Sequence, residues 1–183
     1  WHHWVVKDQH VKSVKRDYQR FVDNWDCHDN VTICPHTIQY DSVKAKLEEL
    51  KGWGDLRRIG FDAFGGMATE IQQWGNLEDS YNPDTDLPMW PLPQTIMSMG
   101  PSTYLLESLI RHKSIAMEQD DIVEYALANV QLEKNINGDR RPSKLRSMGI
   151  IDPVVACVML CGVLIKEGAE RPGAYFDAGD IAC

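Results

Sequence analysis

With 183 residues, 43% of them hydrophobic and 25% charged, the chain has enough apolar material for one sizeable core and reads as a single soluble globular domain. Its longest apolar stretch, from Val154 to Ile165, is the length of a core helix rather than a membrane span, and the opening Trp1-His2-His3-Trp4 carries no secretion signal, so a cytoplasmic location is expected. A formal net charge of −8 argues against a stand-alone DNA-binding protein, because phosphate contacts supply most nonspecific affinity, and any grip on nucleic acid must be local or borrowed.

The first thirty residues mix aromatic and basic side chains without a clean period, which suits a short strand or loop followed by helix. Val31 to Cys34 is β-prone and stopped by Pro35; Tyr40 to Leu50 places Val43, Leu47 and Leu50 at helical spacing, with Gln39 or Asp41 as the start and Gly52-Trp53-Gly54 as the break. Leu56 to Asp62 reads as a strand ending on an acid, followed by Gly65-Gly66 and a helix from Met67 to Leu77. Asn82 to Pro88 is a loop by its turn residues, and Met89 to Pro93 is a short extended segment, since proline and the residue before it resist helix. Pro101 suits the first turn of a helix that runs to about His112. Ile115 to Met117 is expected as a strand, Asp120 or Asp121 as the cap of a helix through Ala128, and Val130 to Ile136 as another strand. Asn137 to Ser147 is polar, basic and turn-rich, a loop leading into Ile150-Ile151-Asp152-Pro153 and a long apolar helix. There is no internal repeat. Alternating short strands and helices predict an α/β domain over residues 1–167, with an irregular tail over 168–183.

Two acids stand out by position: Asp62 closes an apolar strand before a glycine pair, and Asp152 opens an apolar helix just after a basic loop. Function in open α/β sheets gathers beyond the carboxyl ends of strands, and Mg²⁺ or Mn²⁺ takes oxygen ligands from convergent carboxylates. The plainer alternatives are a helix cap at Asp152 and a turn residue at Asp62. Beside Asp152, the cluster of Arg140, Arg141, Lys144 and Arg146 is either a phosphate grip or a solvated loop. The histidines offer no zinc spacing. Cys27, Cys34, Cys157, Cys161 and Cys183 form no paired set and read as reduced thiols, with Cys157 and Cys161 packing as small hydrophobes. The motifs of serine hydrolases, Rossmann dehydrogenases and P-loop ATPases are all missing.

The order of pieces resembles a known family. Ile59-Gly60-Phe61-Asp62-Ala63-Phe64-Gly65, then the run from Ser98 to Ile110 that begins Ser-Met-Gly-Pro, then Asn129-Val130, Lys144, and Ile151-Asp152 before an alanine- and methionine-bearing helix are similar to the nuclease half of a phage terminase large subunit, from about Trp25 to Ile165. The resemblance implies an RNase H-like mixed sheet flanked by helices. It implies cutting of concatemeric double-stranded DNA with two divalent ions, Mg²⁺ or Mn²⁺. Asp62 and Asp152 carry over as the catalytic, metal-binding carboxylates and Lys144 as an active-site or phosphate contact. The implied partners are the DNA, an ATPase motor upstream in the same chain, the terminase small subunit and the portal, with no membrane.

The chain departs from that family at one point. The family has a further aspartate on the first strand of the fold, and no segment here matches it, since Asp8, Asp17 and Asp23 lie in polar settings. The metal site is therefore expected to be incomplete, either because the chain is a fragment, which the start at Trp1 without methionine favours, or because it is a remnant that binds without cutting. Two other readings are a non-catalytic module that docks through its aromatic N-terminal segment, and another RNase H-like nuclease of the resolvase or transposase type.

Overall fold

The computed structural model describes residues 1–6, 29–64, 66, 68–78 and 80–170. The expectations for the basic and aromatic segment before Asp29, for Gly65 and Met67, for Cys27 and Cys183, and for the tail after residue 170 fall outside those residues. Elements follow in the order β1 (His3–Val6), β2 (Val31–Cys34), α1 (Tyr40–Trp53), β3 (Ile59–Asp62), α2 (Ala68–Gln72), β4 (Met89–Leu92), α3 (Ile96–Arg111), α4 (Asp121–Asn129), β5 (Leu132–Lys134), β6 (Arg140–Pro142) and α5 (Asp152–Glu170). The architecture is α/β, as expected. Among the described residues the strands pair two by two: β1 with β2, β3 with β4, and β5 with β6. The first two pairs are parallel.

The chain divides into two compact units, the first formed by Trp1–Gly54, Ile115–Glu133 and Pro142–Val155, the second by Asp55–Ser114, Lys134–Arg141 and Ala156–Cys183. In unit 1, β1 and β2 pair from His3 opposite Val31 to Val6 opposite Cys34. Polar side chains fasten this sheet: the Trp4 indole donates to Ser42 Oγ of α1 at 3.0 Å, and Ser42 Oγ donates to the Gln39 carbonyl at 2.7 Å. The expected apolar positions of α1, Val43, Leu47 and Leu50, are only half-buried. Helix α1 runs through Gly52 and Trp53 and stops at Gly54. Asp120 caps α4, its Oδ1 accepting the amides of Ile122 and Val123 at 2.9 Å each, which satisfies two of the donors that a helix start leaves unpaired.

In unit 2, β3 and β4 pair from Ile59 opposite Met89 to Asp62 opposite Leu92. Trp90, Leu92 and Val163 form a buried cluster on which Leu77 and Met159 pack. Gly60 is needed there, because a Cβ at that position would stand 2.7 Å from Leu92 Cδ1 and 2.8 Å from Val163 Cγ2. Arg58 and Lys166 lie over the Trp90 ring, 5.1 and 4.1 Å from its centroid, and the indole donates to Glu78 Oε1 at 3.2 Å. Gly75 adopts φ +132, a backbone that side chains resist, and a Cβ there would sit 2.4 Å from the Leu87 carbonyl oxygen.

Four local expectations are corrected. Helix α3 starts at Ile96 rather than at Pro101, because Thr95 Oγ1 accepts the Ser98 amide at 3.2 Å and fixes the first turn earlier, leaving Pro101 inside the helix. Ile115 to Met117 is not a strand, for want of a partner ladder. The strand expected from Val130 to Ile136 is confined to Leu132–Lys134, and the basic loop that follows contains β6, which pairs with it. The helix expected to reach Leu77 stops at Gln72, and turns follow.

Candidate functional site

In unit 2, Asp62 is the last residue of β3, half-buried, and its Oδ1 accepts the Phe64 amide at 3.0 Å. This is the side-chain turn that aspartate forms with the backbone two residues on, and it holds the carboxylate in one orientation. Phe64 itself is 79% exposed. The strand ending on an acid, read from the sequence, is present.

In unit 1, Asp152 is the first residue of α5, and Pro153 follows it within the first turn, where a missing amide proton costs nothing. The carboxylate is exposed and meets a cation: Lys144 Nζ donates to Asp152 Oδ1 at 2.5 Å. Lys144 belongs to a loop fastened from beneath by two serines. Ser143 donates its amide to the Gln131 carbonyl at 2.8 Å, and the Gln131 amide donates to Ser147 Oγ at 3.0 Å. Ser147 in turn donates its amide and its hydroxyl to the Ser143 carbonyl, at 3.0 and 2.6 Å. Both serines are buried, Ser147 to 1% exposure, while Lys144, Leu145 and Arg146 between them all face solvent. Just beyond, Gly149 lies under the Tyr125 ring of α4, whose hydroxyl would be 2.5 Å from any Cβ.

The basic run is thus divided by the fold. Arg140, on β6 in unit 2, makes an ion pair with Glu107 at 2.6 Å and lies over the Tyr104 ring, 4.4 Å from its centroid. Arg141, beside it, donates to the carbonyl of Gln94. These two guanidinium groups are held within unit 2, whereas in unit 1 Lys144 and Arg146 are exposed, Lys144 with its ammonium on Asp152. Among the described residues, no three of His, Cys, Asp and Glu gather to hold a metal ion. Cys157 and Cys161 are buried, as packing residues would be, and burial pushes the Cys161 thiol up to about 11.

One constellation escaped the sequence reading. Asp120 Oδ2 is bonded to His3 Nε2 at 3.0 Å and accepts from Asn30 Nδ2 at 2.8 Å, so one buried carboxylate joins β1, the residue before β2, and α4. Burial raises the Asp120 carboxyl, but the Val123 amide, His3 and Asn30 more than offset it and hold the group below its ordinary value. Beside it a cavity of about 400 Å³ is lined by Trp1, Asn30, Asp29, Glu118, Asp120 and Asp121. The sequence signals the cap at Asp120, but nothing in it signals partners 90 and 117 residues away.

No family model matches the chain. In sequence it is 27% identical over 141 residues, 77% of its length, to the terminase large subunit of Enterobacteria phage HK97. The chain is a relative of the phage terminase large subunit. It spans 27% of the length of that protein. The crystal structure of the HK97 bacteriophage large terminase has a matching fold, with a TM-score of 0.68 at 24% identity over 87% of this chain and 32% of the terminase. Among the described residues of this terminase relative, no helix is long and apolar enough to cross a membrane.

Proposed function

We propose that this chain is the nuclease portion of a DNA-packaging terminase, built on an RNase H-like sheet, that cuts concatemeric double-stranded DNA in the host cytoplasm. The observation that carries the reading is the 141-residue similarity to a terminase large subunit. In this reading Asp62 and Asp152 are the catalytic carboxylates and ligands for Mg²⁺ or Mn²⁺. Their oxygens are the hard donors those ions take, and Asp152 already has a cation, the Lys144 ammonium, seated on it. Since no three ligating side chains gather among the described residues, the reading calls for the further acid that the family carries on an earlier strand. An ATPase motor in the same polypeptide, a small subunit and a portal are the proposed partners.

When bound, two divalent ions would supply an activated water and stabilise the leaving 3′-oxygen. The chain's own residues do the rest. The Phe64 amide keeps the Asp62 carboxylate from rotating away, so little side-chain freedom is lost when it takes a ligand. Lys144 and Arg146, exposed on a fixed loop, contact phosphate by charge. Arg140 and Arg141 extend the positive run but are held by Glu107 and the Gln94 carbonyl, and contribute less.

The deciding experiment replaces Asp62 or Asp152 by asparagine in the full-length terminase and follows plasmid cleavage with Mn²⁺. Both variants should fold as the parent does, by circular dichroism, and cleave nothing. Full activity in either would remove that residue from the mechanism. Calorimetry with Mn²⁺ on this chain and its two variants gives an independent readout: heat of binding in the parent, lost in both.

A further inference from the structure

The loop from Ser143 to Ser147 has a feature that a phosphate grip does not require. Leu145, between the two exposed cations, is 93% exposed, and Met148, three residues on, is 70% exposed. A single exposed leucine is ordinary on a protein surface. Here the exposure coincides with pre-organisation: the serines on either side of Lys144-Leu145-Arg146 are buried and fixed to each other and to both backbone groups of Gln131. The leucine is thereby presented outward on a platform whose ordering is complete before anything binds, which lowers the cost of binding.

From this geometry we infer that Leu145 is a wedge that enters the minor groove of duplex DNA and opens a base step, while Lys144 and Arg146 straddle it on phosphates. The inference rests on the DNA-cutting function proposed above and deepens it, turning a charge contact into one that deforms the substrate. The occupant is argued from charge. In a chain of net charge −8, an exposed apolar tip flanked on both sides by cations suits a polyanion with an apolar interior. Apolar side chains inserted between base steps partly unstack and kink the duplex, and pyrimidine–purine steps such as TA yield most easily. The loop therefore selects deformable steps without reading base edges. Lys144 leaves Asp152 to reach a phosphate, at small cost, since both partners of that pair are more than half exposed.

The test uses the full chain and a duplex of about 20 base pairs carrying 2-aminopurine at a central TA step, at low salt and without added metal. The parent should bind and raise the 2-aminopurine fluorescence severalfold as the base unstacks. Leu145→Ala should bind about fivefold to tenfold more weakly, lose that rise, and keep the parental dependence on salt. Lys144→Ala and Arg146→Ala should each lower the slope of log affinity against log salt by about 1. An unchanged fluorescence rise in Leu145→Ala would overturn the wedge, while the nuclease reading would stand on the cleavage assay with the aspartate variants. A parent that binds no duplex, or that self-associates through Leu145 in sedimentation, would overturn it as well, the latter marking the loop as a protein contact.

Discussion

In unit 1 the parallel pair β1–β2 is tied to helix α4 by a buried carboxylate: His3 and Asn30 meet on Asp120, which also caps the helix. In unit 2 the equivalent pair β3–β4 rests on an apolar cluster of Trp90, Leu92 and Val163, with Arg58 and Lys166 covering the indole. Two short parallel sheets of the same size are thus stabilised in different ways, one by hydrogen bonds to a charge and the other by apolar burial. A paired buried charge gives directional, pH-dependent cohesion, whereas apolar area gives cohesion that pH does not touch.

The sharpest way to break this comparison is at Trp90. Trp90→Ala removes the largest side chain of the unit 2 cluster, and about 3–5 kcal/mol of unfolding free energy should go with it, read from urea denaturation. A loss under about 1 kcal/mol would mean that the cation lid, not the indole, holds the sheet. Asp120→Ala comes next, at about 2–3 kcal/mol, because it strands His3, Asn30 and two helix amides at once; Asp120→Asn, which can still cap, should lose less.

Acid separates the units further. The folded Asp120 carboxyl lies below its unfolded value of roughly 3.9, so its contribution is complete above that range and is lost as the pH falls through the lower folded value. Urea midpoints measured from pH 6 downward should therefore fall more steeply in the parent than in Asp120→Asn. Glu78 in unit 2 is also held low, by its bond to Lys166, but at 51% exposure solvent screens it and its share of the slope is smaller. The smallest effects divide the basic run. Arg140→Ala should cost about 1 kcal/mol through lost contact with Glu107 and Tyr104, whereas Arg146→Ala should stay within about 0.5 kcal/mol.

What could be read from sequence follows from the range over which each signal acts. The cap at Asp120, the stop at Pro35 and the proline-led start of the last helix depend on neighbours within a turn, and all three lie where the residues indicate. The strand ending at Asp62 and the helix opening at Asp152 are legible for the same reason. Pairing is not local. Ile115 to Met117 has the composition of a strand but finds no ladder, while Arg140 and Arg141, read as loop, become strand because β5 offers them one. The same pairing explains why four cations close in sequence differ in role: β6 takes the first two inward to Glu107 and Gln94, and the serine-anchored loop turns the last two outward. Charge runs record composition and not presentation.

The close approach of Gly149 to Tyr125 joins two of these features. The far end of the Leu145 loop is seated on the flank of α4, the helix whose first turn depends on the Asp120 carboxylate. The loop therefore shares a foundation with the acid-sensitive part of unit 1, although none of its exposed side chains is itself an acid. Acid that weakens the bonds of Asp120 to His3 and Asn30 therefore weakens the support beneath Leu145, while Lys144 and Arg146 keep their charge.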